Sequence, residues 1–243
     1  MRGHDAIVVG GGIVGAACAW ELARVGQSVL VLEAAAGTSA GATAAGMGHI
    51  VVADDSEPQF ALCKWSRRLW DELADDLPVG VQRELCGCLW LAVDDDEMDL
   101  VRDKAEFYSS RGVRAEVLDR QQLREAEPAL SDALLGALRI PDDSVVYAPV
   151  VVEWLLAEVI ARGGTVRQGV TVRQVEGGAV TMADGERLQA DVVVNAAGER
   201  ALHLMPDSEL RGQVRPRKGH LAITERDQRL TRHQVAELGY FRS

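Results

Sequence analysis

One glycine pattern constrains this chain more than anything else in it: Gly10-Gly11-Gly12-Ile13-Val14-Gly15, set between an apolar run and a helical one. Before it stands Asp5-Ala6-Ile7-Val8-Val9, short and β-branched as a buried strand is. After it Cys18, Ala19, Leu22 and Val25 keep a helical pattern, Gly26 takes the position of a C-terminal cap, and Ser28-Val29-Leu30-Val31-Leu32 reads as a second buried strand ending in Glu33. Strand, tight turn, helix and strand make a βαβ unit. In that setting Gly10 permits the sharp turn, Gly12 lets a diphosphate approach the backbone, and Gly15 lets helix and strand pack closely. The free amides and positive dipole end of the helix, which Ile13 and Val14 open, face the anion. Glu33, with Ala34 beside it, is placed to accept hydrogen bonds from an adenosine ribose, and its charge disfavours a 2′-phosphate. The bland alternative is a glycine-rich turn with a solvated Glu33, which would not require all three glycines.

The fingerprint alone does not separate NAD from FAD, so the discrimination comes from the residues after it. Residues 34–48, Ala-Ala-Ala-Gly-Thr-Ser-Ala-Gly-Ala-Thr-Ala-Ala-Gly-Met-Gly, carry almost only small side chains. Such a segment lets backbone amides approach a flat, hydrogen-bonding ring system, and Thr43 adds a hydroxyl for a phosphate or ribityl oxygen; a flexible linker is the competing reading. Much later, Thr165-Val166-Arg167-Gln168, residues 170–175, Ala179-Val180-Thr181-Met182 and residues 186–190 read as strands joined by tight turns at Gly177-Gly178 and Asp184-Gly185. They lead into Asp191-Val192-Val193-Val194-Asn195-Ala196-Ala197-Gly198, a fully apolar strand expected to return, parallel, to the nucleotide sheet. The fold class is therefore α/β: a glutathione-reductase-like, Rossmann-type FAD-binding domain with an inserted α+β substrate domain. One fingerprint without a second Gly-x-Gly-x-x-Gly implies one non-covalent FAD and no separate NAD(P)H domain.

Composition narrows the partners. The 243 residues amount to between one and two domains at ~150 residues each, enough for a core without staples. A formal net charge of −11 repels phosphate backbones and anionic headgroups, which argues against nucleic acid or a membrane surface. No apolar run approaches the ~20 residues of a membrane span, and no secretion signal precedes the first strand, so a cytoplasmic location is expected. Cys18, Cys63, Cys86 and Cys88 form no Cys-x-x-Cys pair, consistent with a reducing compartment and no metal site.

With these segments in place the chain resembles the D-amino-acid oxidase and glycine oxidase superfamily of flavin-dependent amine oxidoreductases. The resemblance rests on the opening motif, Ala42-Thr43-Ala44-Ala45-Gly46-Met47, Gly87-Cys88-Leu89-Trp90-Leu91-Ala92, residues 142–149, and Arg215-Pro216-Arg217-Lys218-Gly219-His220-Leu221. Gly46-Met47-Gly48-His49 and Pro216-Arg217-Lys218-Gly219-His220 look most like bacterial D-hydroxyproline and D-proline dehydrogenases, near the glycine-oxidising subunit of hydrogen cyanide synthase. The resemblance implies a diphosphate turn at Gly10, Gly12 and Gly15, a ribose acceptor at Glu33, and a loop passing the isoalloxazine ring at Thr43, Ala45, Gly46 and Met47. It also implies a backbone contact to adenine at Val172 and a segment beside the diphosphate at Ala197 and Gly198. The implied reaction is oxidation of the C–N bond of a small amino or imino acid by hydride transfer to flavin, with oxygen or an electron carrier as acceptor. Members of that superfamily continue beyond the point where Ser243 stands, so a truncated or split member of doubtful isolated competence is expected.

The remaining segments place the inserted domain. Leu62, Trp65, Leu69, Leu73 and Leu77, closed by Pro78, predict one long helix over the nucleotide sheet. Residues 86–93 predict a strand, Met98, Val101, Ala105 and Tyr108 a helix ending at Gly112, and Asp119-x-x-Gln122 a capping box. A helix opened by Pro149 presents Val152, Leu155, Leu156, Val159 and Ile160 on one face. These readings divide the chain into an FAD-binding domain at 1–82 and 146–210 and a substrate domain at 83–145 and 211–243. Substrate contacts are less legible: Tyr240 is a candidate or simple packing, His49 could orient substrate or reach the flavin or be a bland hydrogen-bonded histidine, and His220 reads as structural. Two other functions stay open, a non-catalytic or incomplete FAD- or nucleotide-binding subunit that needs a partner chain, and an NAD-dependent dehydrogenase with an unusual insertion.

Overall fold

The computed structural model describes residues 3–37, 39–52, 56–205, 208–210, 213, 219–225 and 229–239. In chain order they form β1 (Ala6–Val9), α1 (Ile13–Arg24), β2 (Val29–Leu32), β3 (His49–Ile50), α2 (Glu57–Glu72), β4 (Cys88–Ala92), α3 (Asp95–Ser110), β5 (Glu116–Asp119), α4 (Arg120–Ala126) and β6 (Gly136–Ile140). Next come β7 (Ser144–Val145), α5 (Ala148–Ala161), β8 (Thr165–Arg167), β9 (Val172–Glu176), β10 (Ala179–Met182), β11 (Arg187–Gln189), β12 (Val192–Asn195) and β13 (Gln234–Glu237). The chain divides into two compact units, residues 1–48 with 147–222 and residues 49–146 with 223–243.

The first unit is built on a parallel sheet in the order β12-β1-β2-β8. Its central strands are apolar without interruption, as strands covered on both faces must be. Ile7, Val9, Leu30 and Leu32 pack on one face against Val172, Val180 and Met182 of the antiparallel β9-β10-β11 meander. Alternation sends Ala6, Val8, Val29 and Val31 to the other face, which α1 and α5 cover. The two helices meet through Trp20 and Trp154, whose ring centroids lie 6.0 Å apart. The last apolar strand of the meander segment does return to β1 in parallel, pairing Ala6 with Val192 through Val9 with Asn195. Thr165–Arg167 differs from expectation: it joins the parallel sheet beside β2 rather than the meander.

The second unit holds a mixed sheet in the order β13-β4-β6-β5, in which only β13 and β4 are parallel. One face packs on α2 and α3 through Phe60, Met98, Val101, Tyr108, Leu138 and Ile140. The other face packs on α4 through Leu89, Leu91, Leu118 and Leu123. The capping box at α4 is formed as the sequence predicts, with Asp119 and Gln122 each bonding the other's backbone amide.

Helix α2 groups differently from the expected division. It ends at Glu72 and packs within the second unit through Phe60, so the first crossing between units falls at residue 48, where the sequence reading puts it near 82. Its predicted inward stripe faces outward, with Leu62, Trp65 and Leu69 at 62%, 56% and 40% exposure. Phe60 and Arg67 lie on the opposite side, one heptad apart, and are buried. Phe60 stacks edge-on against Phe107 at 5.2 Å, and Arg67 pairs with buried Asp143 at 3.2 Å. A guanidinium drawn to a buried carboxylate, plus an aromatic cluster, outweighs a leucine stripe. Ile160 of α5 likewise stands exposed although its helical pattern assigned it to the inner face.

Candidate functional site

The site begins where β1 stops. Gly10 has φ +106°, a conformation that side chains rarely take, and a Cβ there would collide with the Ala196 carbonyl. A Cβ at Gly15 would in turn strike the Gly10 carbonyl oxygen. The first turn of α1 is therefore pressed against the ends of β1 and β12, at the place where the sheet's connections run off in opposite directions. Crevices at such points are where open parallel sheets hold ligands. Helix α1 starts at Ile13, so amides of its first turn have no acceptor inside the helix. Of these residues Gly11 and Gly15 are buried, Gly10, Gly12 and Ile13 half-buried, and Val14 exposed.

Glu33 is already oriented. Its Oε2 accepts the Gly11 N–H at 2.6 Å and its Oε1 the Ala35 N–H at 2.8 Å. Each oxygen keeps a further lone pair that can accept another hydrogen bond. The backbone around it is pinned as well: Glu33 N–H donates to the Arg167 carbonyl, and Glu33 and Ala35 carbonyls accept from Val170 and Gly169. This brings the start of β9, with Val172, into the same unit as the carboxylate, although the Val172 side chain itself is buried in the core.

Thr43 reaches back 30 residues to accept the Ile13 N–H at 3.0 Å. The small-residue loop is thus tied to the helix start, while Ala45, Gly46 and Met47 stay exposed and Ala34 with them. At the other side of the crevice Ala196 donates to the Val9 carbonyl, and Ala197 and Gly198 turn away from the sheet. Sequence reasoning overlooked Asn195, whose side-chain amide donates to the Ala201 carbonyl at 2.7 Å and accepts the Ala197 N–H at 3.4 Å, folding this turn. Its signal was an amide residue closing an otherwise apolar strand.

The substrate-side candidates belong to other parts of the chain. His49 opens the second unit, pairing with Val145, and partial desolvation holds its imidazole below the usual histidine value. Tyr240 and residues 214–218 lie outside the described residues, and His220 is exposed. Cys88 is a buried core residue, and burial pushes its thiol up to about 12. No group of metal-ligating side chains occurs among the described residues, and no described helix is long and apolar enough to cross a membrane.

A profile of the FAD-dependent oxidoreductase family matches residues 5–242. The chain belongs to this family. Glycine oxidase from Geobacillus kaustophilus (strain HTA426) is 32% identical over 230 residues, covering 90% of this chain and 61% of that protein. The crystal structure of glycine oxidase from Geobacillus kaustophilus superposes with a TM-score of 0.76 at 28% identity, over 84% of this chain and 58% of that one. One subunit of the anaerobic glycerol-3-phosphate dehydrogenase from Escherichia coli (strain K12) is 28% identical over 249 residues, 96% of this chain and 44% of that protein. The chain thus spans about half the length of the curated relatives it matches. Membership makes FAD, not NAD, the dinucleotide of this oxidoreductase fold. The residues present fit it, since Gly10 and Gly15 let the start of α1 pack directly against the strand ends, with its first amides presented there, and a prepared carboxylate, Glu33, stands on the Gly11 amide.

Proposed function

We propose that this FAD-dependent oxidoreductase takes a hydride from the nitrogen-bearing carbon of a small amino or imino acid and passes the electrons to oxygen or a carrier. The observation that carries the reading is the close packing of Gly10, Gly15 and Ala196, which sets the first turn of α1 against the ends of β1 and β12. There Gly11, Gly12, Ile13 and Val14 would hold the diphosphate through backbone amides, Glu33 and Ala34 the ribose, and the start of β9 at Val172 the adenine. Thr43, Ala45, Gly46 and Met47 would pass the ring system, with Ala197 and Gly198 beside the diphosphate. Bound FAD would supply the two-electron acceptor.

The chain's own contribution is position and environment. Small side chains over residues 39–48 let backbone amides approach a planar ring without a Cβ in the way. The second unit would be the substrate side, with Tyr240 and His49 as contacts, the partial desolvation of the histidine favouring its neutral form. An uncharged imidazole can accept a hydrogen bond from a substrate ammonium, the group that must lose a proton before hydride leaves.

A second reading, a subunit whose site another polypeptide completes, is favoured by the match to a protein named as a subunit over 96% of this chain. One experiment tests both. The purified chain is loaded with FAD, and bleaching of the flavin band is followed anaerobically with glycine, sarcosine, D-alanine, D-proline, D-hydroxyproline and, for the other relative, glycerol 3-phosphate. Bleaching by an amino or imino acid is the expected result. Bleaching by glycerol 3-phosphate alone would overturn the substrate class, and stoichiometric flavin that no substrate reduces until a partner is added would favour the second reading.

A further inference from the structure

Within the exposed small-residue loop one side chain behaves unlike its neighbours. Ser39 is 4% exposed, while residues 40–42 and 44–47 are exposed. Its hydroxyl has no hydrogen-bond partner among the described residues. Ser39 also sits at φ +61°, one of two non-glycine residues with positive φ among those described. Serine gains nothing locally from this arrangement. A left-handed backbone is strained for a residue with a Cβ, and a buried hydroxyl without a partner is costly in its own right. Strain and an orphaned polar atom at one position indicate a partner that arrives from outside the chain.

We propose that Ser39 is a further cofactor-binding residue, its hydroxyl donating to an oxygen of the dinucleotide's diphosphate–ribityl stretch. The inference rests on the FAD-binding reading above. Four residues on, Thr43 touches the Ile13 amide of the diphosphate crevice, so the Ser39 hydroxyl belongs to a loop already tied to that crevice. Glycine would suit the backbone at position 39 better and alanine would bury no polar atom; a hydroxyl there makes sense for a ligand, not for the empty protein.

The test measures two quantities on Ser39→Ala and Ser39→Gly: FAD affinity by quenching of flavin fluorescence, and the melting temperature of the flavin-free protein. Both variants are expected to lose roughly tenfold in FAD affinity, the loss of one hydrogen bond to a charged or polar oxygen. The flavin-free melting temperature is expected to hold or rise, by about 2 °C for Ser39→Gly, because strain and the orphaned hydroxyl are removed. ADP serves as a second probe: a parallel loss for ADP places the acceptor on the diphosphate, a loss for FAD alone on the ribityl chain. FAD affinity within twofold of the parent protein, or a fall in the flavin-free melting temperature of both variants, would overturn the assignment of Ser39 alone. A parent protein that binds no FAD would overturn the cofactor reading beneath it.

Discussion

Gly15 and Glu33 show how differently two residues of one motif act. Gly15 is constrained by packing: its missing Cβ is the space the Gly10 carbonyl fills, so Gly15→Ala must separate α1 from β1. We expect that substitution to destabilise the protein by about 1–3 kcal/mol, as overpacking does, and to abolish stoichiometric flavin, checked by thermal melting and absorbance at the flavin band. Glu33 is constrained by hydrogen bonding. Glu33→Gln keeps one carbonyl oxygen but turns an amide donor toward the Gly11 or Ala35 N–H, and FAD affinity should fall roughly tenfold in a fluorescence titration with the fold intact. Asp143, in the second unit, titrates unusually. Burial pushes its carboxyl up to about 7 in spite of the Arg67 guanidinium beside it. A folded value raised above the ordinary 3.8 means that this group's contribution to stability is full below about pH 4 and is lost as pH rises through 7. Stability measured by urea unfolding should therefore decline from about pH 5 to 8 more steeply in the parent than in Asp143→Asn, whose side chain cannot titrate.

Helices reveal where pattern reading succeeds and where it misleads. Helix α5 buries Val151, Val152, Leu155, Leu156 and Val159, close to its predicted face, because α1 supplies an apolar partner all along it. Helix α2 carries an equally regular stripe and buries the other side. Periodicity says that residues share a face, but not which face meets a neighbour, and the neighbours of α2 are Phe107, Tyr108 and Asp143, distant in sequence. The consequence is measurable: Phe60→Ala should cost about 3–5 kcal/mol in chemical unfolding, whereas Trp65→Gln on the exposed side should change stability by about 0.5 kcal/mol or less. Had the leucine stripe been the buried one, the order would reverse. The join between α4 and β13 was likewise invisible in advance. Glu127, almost fully buried, accepts the backbone amides of Arg232 and His233 at 2.6 Å each and contacts the His233 Nδ1 at 2.7 Å, across more than a hundred residues. A lone glutamate before a proline carries no sign of such a role.

For the molecule as a whole, binding and stability are linked. A ligand that binds only the folded chain stabilises it by about 2.7 kcal/mol at a hundred times its dissociation constant, which for a chain of this size is a rise of several degrees in melting temperature. FAD at that excess should produce the shift, and NAD at equal concentration should not.

The order of residues along the first two hundred positions already encoded the nucleotide half. A β-branched run, a Gly-x-Gly-x-x-Gly turn, an alanine-rich helix, a strand ending in an acid and a late return strand are local signals, each enforced by sterics or hydrogen bonding within a few residues. Contacts between remote segments settled the rest. The division at residue 48, the outward face of α2, the anchoring of β13 by Glu127 and the orphaned hydroxyl of Ser39 depend on which surfaces meet after collapse. Burial and pairing are properties of the neighbours a side chain acquires, and a one-dimensional pattern carries no record of them.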